Sequence, residues 1–544
     1  MHDLPGARRV AGLLLVSLLA GCGSGGGDES VGTTISTNAI SFSAAAPDAA
    51  TPASQVITAT FGSDIANLSV VHSGNAVANV SSVLSGRTAQ ITVEPVAPAS
   101  VGPGAFIGAV AVTGYSCADS TCSKLSAGST STVAITYQVS PVVQQVTPYV
   151  ATAGVADSVV IRGVGLTSFA TQGVRFGDTA ATASVNIGPT EVRASYPALA
   201  AGSYPVRLDA PSHQGPIPTT ATLLVLTPTI FAATTLPPPA GASVVNRLIY
   251  DAERGALLTV SDAGGGSISR YVYSDGVWGA PVSTAGALRD AALSANGTQV
   301  FAISATSVIP VDPVTLALGT AIAAPSMTTN AFLKNVVVGS DNRALITTGI
   351  NASTSTAPYI FTPSNSSLLP TNIAINNGTP TMAANNAVAV ISQGDPSATT
   401  DLPIFLYSAS SNAFTASTAT SVSLRQNGVE PAVSRNFSRF ALNGLRVFDG
   451  ADQNFLGTLP ATTAAVVFKP DGTRAYTYDT TAGGIVTYDT SVDRQEAAYA
   501  PLAAATPLAG NPGTAVKMII SPDGGTLFLA GTGGVIVVQP TPAL

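Results

Sequence analysis

Charge is scarce in this chain: only 9% of its 544 residues are Asp, Glu, Lys or Arg. Lysine is confined to Lys124, Lys334, Lys469 and Lys517. There are three histidines, three cysteines and one tryptophan, Trp278. Each shortage excludes something. With a net charge of −7 and no basic run, the chain lacks the clustered cations that nucleic acid binding needs. The same lack argues against electrostatic docking to anionic lipid. Beyond residue 21 only His72 and His213 remain, with no ligand-spaced pair for a metal and no histidine for a Ser-His-Asp triad in the C-terminal half. A Gly-x-Ser-x-Gly elbow, a His-Glu-x-x-His helix and a P-loop are all missing. So is any convincing amphipathic helix.

What is present starts with three parts of an export signal. Arg8 and Arg9 supply a short positive region, residues 10–20 an apolar run, and Leu19-Ala20-Gly21-Cys22 a small-residue junction. The run is shorter than the roughly 20 residues needed to span a bilayer. Gly23-Ser24-Gly25-Gly26-Gly27 follows as a flexible tether. The junction resembles the lipobox of bacterial lipoproteins at all four positions. That resemblance implies cleavage before Cys22, lipidation of its thiol, and a stable anchor from several acyl chains. Gly23 in place of Asp implies the outer membrane, in a leaflet the sequence leaves open. The alternative is an ordinary signal peptide with a chance cysteine. Removing residues 1–21 takes away two arginines and one aspartate and leaves a net charge of −8.

In an oxidising compartment, Cys117 and Cys122 form an even pair, and their short spacing suits a disulfide at a hairpin tip. On loop entropy it contributes about 2 kcal/mol. A metal site is the rival reading and lacks further ligands. Short β-branched runs separated by Gly, Pro, Asn, Asp and Ser recur to the end of the chain, which predicts an all-β protein. Within 31–139 the runs fall at 55–61, 68–71, 89–93, 108–113 and 132–139, enough for one sandwich. Ala39-Ile40-Ser41-Phe42 at its start and Val133-Ala134-Ile135-Thr136-Tyr137 at its end resemble Ig-like and BACON-like modules of bacterial surface proteins.

Residues 140–227 carry an ordered set of segments: Val146-Thr147-Pro148, Ala153-Gly154, Val159-Val160-Ile161-Arg162-Gly163, Val174-Arg175-Phe176-Gly177 and Gly202-Ser203-Tyr204-Pro205-Val206. This is similar to IPT/TIG domains, Ig-like sandwiches that commonly act as spacers or protein contacts. Residues 228–544 repeat. Ser521-Pro522-Asp523-Gly524 and Lys469-Pro470-Asp471-Gly472 are the clearest turns, with fainter ones at Ser294, Ser340, Ser434, 251–255 and 385–386. Seven units of 40–50 residues are what propeller blades require, since one blade cannot bury both faces. The turns resemble the YVTN and NHL class of β-propellers. The fold expectation is therefore two Ig-like β-sandwiches followed by a seven-bladed β-propeller. Ring closure is expected to pair 229–233 with the last blade, at 535–538.

Asp471 and Asp523 sit where turns favour Asp for backbone reasons. Asp251, Glu253 and Asp262 invite a carboxylate pair or Ca²⁺, without the spacing of an EF-hand loop. Aligning the units on their turns places one residue per blade four positions earlier: Asn246, Asp290, Val336, Thr379, Glu430, Ala465 and Lys517. Alternation aims these at the channel. Asn246, Asp290, Thr379, Glu430 and Lys517 form the candidate ligand face, against the simpler reading of a solvated rim. No catalytic residue, metal or cofactor is expected. The expected function is a non-enzymatic binding or scaffold lipoprotein of the outer membrane, with a protein or glycan partner. The rival is an enzyme, because propellers also host lyases, lactonases and dehydrogenases. Those use channel His, metal-binding carboxylates or Trp, and this propeller has no His and one Trp.

Overall fold

The structure, a computed structural model, describes residues 32–166, 173–208, 219–284, 286–325, 327–350, 356–375, 377–394, 403–416, 430–442 and 445–543. The export segment 1–21, Cys22, the tether 22–30 and His213 lie outside the described residues. Strands dominate what is described. The only helical pieces there are the single turn Pro98–Val101 and two 3-10 turns.

The N-terminal sandwich has two four-stranded sheets. One orders Thr33–Ile35, Gln55–Phe61, Thr88–Pro95 and Val77–Ser85, and the other Ala39–Ala44, Leu125–Val139, Gly104–Cys117 and Asn67–Gly74. Alternation sets the faces: Ile40, Phe42 and Ala44 are buried, as are Ile57, Ala59 and Phe61, while the residues between them are exposed or half-buried. Cys117 and Cys122 are joined in a disulfide with a Cα separation of 4.7 Å. His72 lies in the strand Asn67–Gly74.

The next domain packs the sheet Ala183–Gly188, Glu191–Tyr196, Asp157–Val164, Val142–Thr147 against a second sheet containing Val150–Thr152, Thr222–Leu226, Gly202–Leu208 and Val174–Phe176. Val143, Ile161, Phe176, Tyr196, Val206 and Leu223 share its core. Two glycines have specific reasons. Gly177 has φ of 59°, and a Cβ on Gly163 would come 2.0 Å from the Val142 carbonyl oxygen.

From 234 to 540 the described residues build seven sheets, numbered here from the one that starts with Val245–Asp251. The first strands of the others are Asp290–Leu293, Ala331–Val338, Thr379–Met382, Ala432–Val433, Thr463–Phe468 and Thr514–Ile520. Each first strand lies beside that of the next sheet, and the seventh lies beside the first, so the ring is closed. Second strands such as Ala256–Ser261 and Ala344–Ile350 are buried along their whole length, because neighbouring sheets cover both faces.

Closure uses a different segment from the one expected. Thr234–Leu236 pairs with Ile536–Pro540, aligning Thr234 with Val538. The segment 229–231 is held instead by side chains of the last sheet: Thr229 N donates to Asp523 Oδ2 at 2.9 Å, and Phe231 N to Thr526 Oγ1 at 3.2 Å. Phe231, Tyr250, Tyr273 and Phe528 fill this seam, with Phe231 stacked on Tyr273 at 4.1 Å. Trp278 belongs to the same cluster and donates to the Pro237 carbonyl.

Candidate functional site

The turns explain where the channel residues end up. Ser294, Ser434 and Ser521 each accept a hydrogen bond on Oγ from the backbone N–H five residues on, at 2.9, 3.0 and 3.0 Å. The Asn or Asp at the third position of the turns accepts from the backbone two residues further: Asn436 from Ser438, Asp523 from Gly525 and, in the turn opened by Lys469, Asp471 from Thr473. These are Asx turns, a local alternative to water for the turn backbone. Asp251 and Glu253 both contact Arg254, whereas Asp262 accepts from the backbone of Ser243 and Val244.

Four residues before the turns, the channel holds a continuous polar layer. Arg247 of the first sheet donates Nε and Nη2 to the two oxygens of Asp290 at 2.5 and 2.7 Å. Its Nη1 crosses to Glu430 Oε1, just before the fifth sheet's first strand, at 2.6 Å. Lys517 of the seventh sheet donates to Glu430 Oε2 at 2.9 Å. Asp290 also accepts from Asn335 Nδ2 and Val336 N, at 3.1 and 2.9 Å. Lys334 Nζ reaches the fourth sheet, donating to Thr379 Oγ1 at 2.8 Å and to the Asn377 carbonyl at 2.7 Å.

Four of the five candidate ligand residues, Asp290, Thr379, Glu430 and Lys517, thus converge in one layer. Asn246 does not join it. The strand Val245–Asp251 bulges between Val245 and Arg247, so Arg247 takes the channel position and Asn246 is exposed. Similar shifts occur at Leu333/Asn335, Thr463/Ala465 and Thr514/Lys517. Arg247, Lys334 and Asn335 are the channel residues that counting back from the turns passes over.

The electrostatics follow from the pairing. Burial works against the Glu430 carboxylate, but Arg247 and Lys517 outweigh it and hold its pKa down to about 2. Arg247 is likewise disfavoured by burial and then held well above its usual value by Asp290 and Glu430. Lys334 moves the other way. Burial, reinforced by the Lys517 charge and partly opposed by Glu430, lowers it to about 8.

On the turn side of this layer the second sandwich closes over the channel. Gln145 Nε2 and Thr147 Oγ1 donate to the Ser340 carbonyl at 3.1 and 3.3 Å. Arg435, only 8% exposed, donates to the carbonyls of Val150 and Pro522 at 3.1 Å each and lies 3.4 Å from Asp157. Tyr149 sits so close to the turn of the second sheet that a Cβ on Gly297 would come 2.0 Å from its hydroxyl. Burial, with Asp251 and Glu253 adding to it, raises the Tyr149 pKa far above its ordinary value. Beneath Pro148, Tyr149 and Val150 lies a cavity of about 350 Å³, lined by Ala291, Val336, Met382 and Ala383 and reaching Arg247. Among the described residues, no group of three His, Cys, Asp or Glu side chains is placed to hold a metal ion.

A closed ring of four- and five-stranded sheets with a central channel is a β-propeller, here joined to Ig-like sandwich domains. Residues 141–223 match the IPT/TIG domain family. No curated protein sequence matches the chain. Solved structures similar to the chain include these three. Kuenenia stuttgartiensis hydrazine synthase is 11% identical, with 56% of this chain and 97% of that one covered at a TM-score of 0.42. The β-propeller domain of Myceliophteria thermophila Cps50 (Swd1) is 9% identical, with 57% and 99% covered at 0.41. A Bacteroides thetaiotaomicron protein of unknown function is 11% identical, with 73% and 97% covered at 0.35. An IPT/TIG domain and a propeller together fit a binding or scaffold role.

Proposed function

We propose that this protein is a non-catalytic binding or scaffold lipoprotein, tethered through Cys22 to the outer membrane, whose propeller contacts a protein or glycan at the cell envelope. One observation carries the contact face. The IPT/TIG domain occupies the turn side of the channel through Gln145, Thr147 and the buried Arg435. The far mouth, where Lys517 is 39% exposed, is then the face offered to a partner. Docking by buried polar contacts also gives the two domains a fixed mutual orientation, which suits display.

The test uses the full chain in its own envelope. It incorporates labelled palmitate, and Cys22→Ser abolishes the label. Cross-linking through a photoreactive residue at position 517 captures one protein or glycan, whereas the same probe on the turn side, at the exposed position 471, captures none. Palmitate on the serine variant refutes the anchor. Capture only from position 471 refutes the contact face.

A further inference from the structure

The chain has four lysines in 544 residues. Two of them, Lys334 and Lys517, come from the third and seventh sheets and meet the same polar layer of the channel. Three cations, Arg247, Lys334 and Lys517, face two carboxylates, Asp290 and Glu430. Both carboxylates already have cationic partners on each oxygen. Both Asp290 oxygens receive Arg247, with Asn335 and Val336 added, and the Glu430 oxygens receive Arg247 and Lys517. Lys334 is left with neutral acceptors, Thr379 Oγ1 and the Asn377 carbonyl. An ammonium has three N–H donors, and the third has no protein acceptor among the described residues. A part-buried cation with no carboxylate in direct contact is disfavoured, and in a protein of net charge −7 its retention needs a reason.

We propose that the far side of this channel layer binds a small oxyanion, a carboxylate, between the ammonium groups of Lys334 and Lys517. The proposal rests on the far mouth being the contact face and names the chemistry it recognises. One negative charge balances the third cation. The Lys334 donor not used by the protein supplies a charge-assisted hydrogen bond, and Lys517, part-exposed and bound to Glu430 in the same layer, adds attraction. Lys334 is then a binding residue, and a bound anion raises the pKa that burial and Lys517 lower.

The experiment is calorimetric titration of the full chain at pH 7 and low salt with glucuronate, inorganic phosphate and glucose. Glucuronate is expected to bind and glucose, lacking the carboxylate, to bind at least ten-fold more weakly. Tighter binding of phosphate keeps the cationic site and reassigns its ligand to a phosphate head group. Equal binding of glucose, or no binding of either anion, overturns the proposal. Lys334→Met is expected to weaken glucuronate at least ten-fold, and unchanged affinity overturns it. A second readout needs no variant. With Lys517, Glu430, Arg247 and Asp290 as the charged neighbours, loss of the Lys334 proton weakens wild-type binding about ten-fold per pH unit above 8. A pH-independent affinity between 7 and 10 refutes the site even if Lys334→Met fails to fold. Capture of an envelope partner without uptake of either anion refutes this site and leaves the contact face standing.

Discussion

Arg247 of the first sheet and Glu430, just ahead of the fifth sheet's first strand, meet side chain to side chain at 2.6 Å across the channel. Arg247 also holds Asp290, so one guanidinium ties two carboxylates from separate sheets. Removing one partner of a buried ion pair leaves uncompensated charge and costs about 3–5 kcal/mol. Arg247→Met is expected to fall in that range by urea denaturation of the full chain. Combining it with Glu430→Gln is expected to cost less than the two single losses added. An Arg247→Met protein within 1 kcal/mol of wild type, on the order of an exposed pair, would deny the bridge a structural role. The same pairing means that alanine at Asp290 or Glu430 lowers stability as well as any affinity.

Acid sensitivity is expected from Glu430. Its folded pKa is depressed to about 2 from an ordinary 4.5. The stability it contributes is therefore present above pH 4.5 and lost as pH falls from there toward 2. Melting temperatures measured between pH 6 and 3 should decline less steeply in Glu430→Gln than in wild type. Parallel curves would show that other carboxylates dominate.

Lys334 has the opposite consequence. Its folded pKa is lowered to about 8 from 10.5, so between those values the unfolded chain binds a proton that the folded chain does not. Stability then rises with pH across the window from 8 toward 10. Lys334→Met is expected to remove that rise and to be the more stable protein at pH 7 without added anion. Melting curves at pH 7, 8, 9 and 9.5 decide it, below the range where tyrosines ionise.

Arg435 is expected to be the pin between the IPT/TIG domain and the ring. It reaches Val150, Asp157 and Pro522 while almost fully buried. Hydrogen bonds to a charged group contribute roughly 1.5–3 kcal/mol. Arg435→Ala should raise amide exchange at 149–151 and leave Ala344–Ile350 protected. Unchanged exchange at 149–151 would show that docking does not depend on it.

Ring closure gives the fifth test. Truncation after 534 removes Ile536–Pro540, the partner of both Thr234–Leu236 and Thr526–Thr532. Amide protection should then fall even in the distant strand Ala344–Ile350. Loss confined to the last sheet would mean that the sheets are held pairwise rather than as a ring.

How much of this was legible in the sequence depended on range. The Ser-x-Asp and Ser-x-Asn turns were readable because their hydrogen bonds close within five residues, as at Ser521 and Asp523. Asp290, Glu430 and Lys517 were found by counting back from those turns. Asn246 was selected over Arg247 because a bulge adds one residue without changing composition. Lys334 was missed for a different reason: its partner Thr379 lies 45 residues away in another sheet. The docking of Tyr149 and Arg435 has no local signature at all. The closing strand was misplaced by a few residues because 229–231 is anchored by the Asp523 and Thr526 side chains rather than by a sheet ladder.

The bridge from Arg247 to Glu430 also makes the propeller's axis a blind well. The bridge crosses the channel and Tyr149 roofs the space beyond it, so among the described residues the axis is crossed at two levels. On the contact face proposed above, a polymer would then insert a terminus rather than lay its middle through the ring. That proposal therefore predicts recognition of chain ends: a cyclised or end-blocked glycan should be refused where the open chain is accepted.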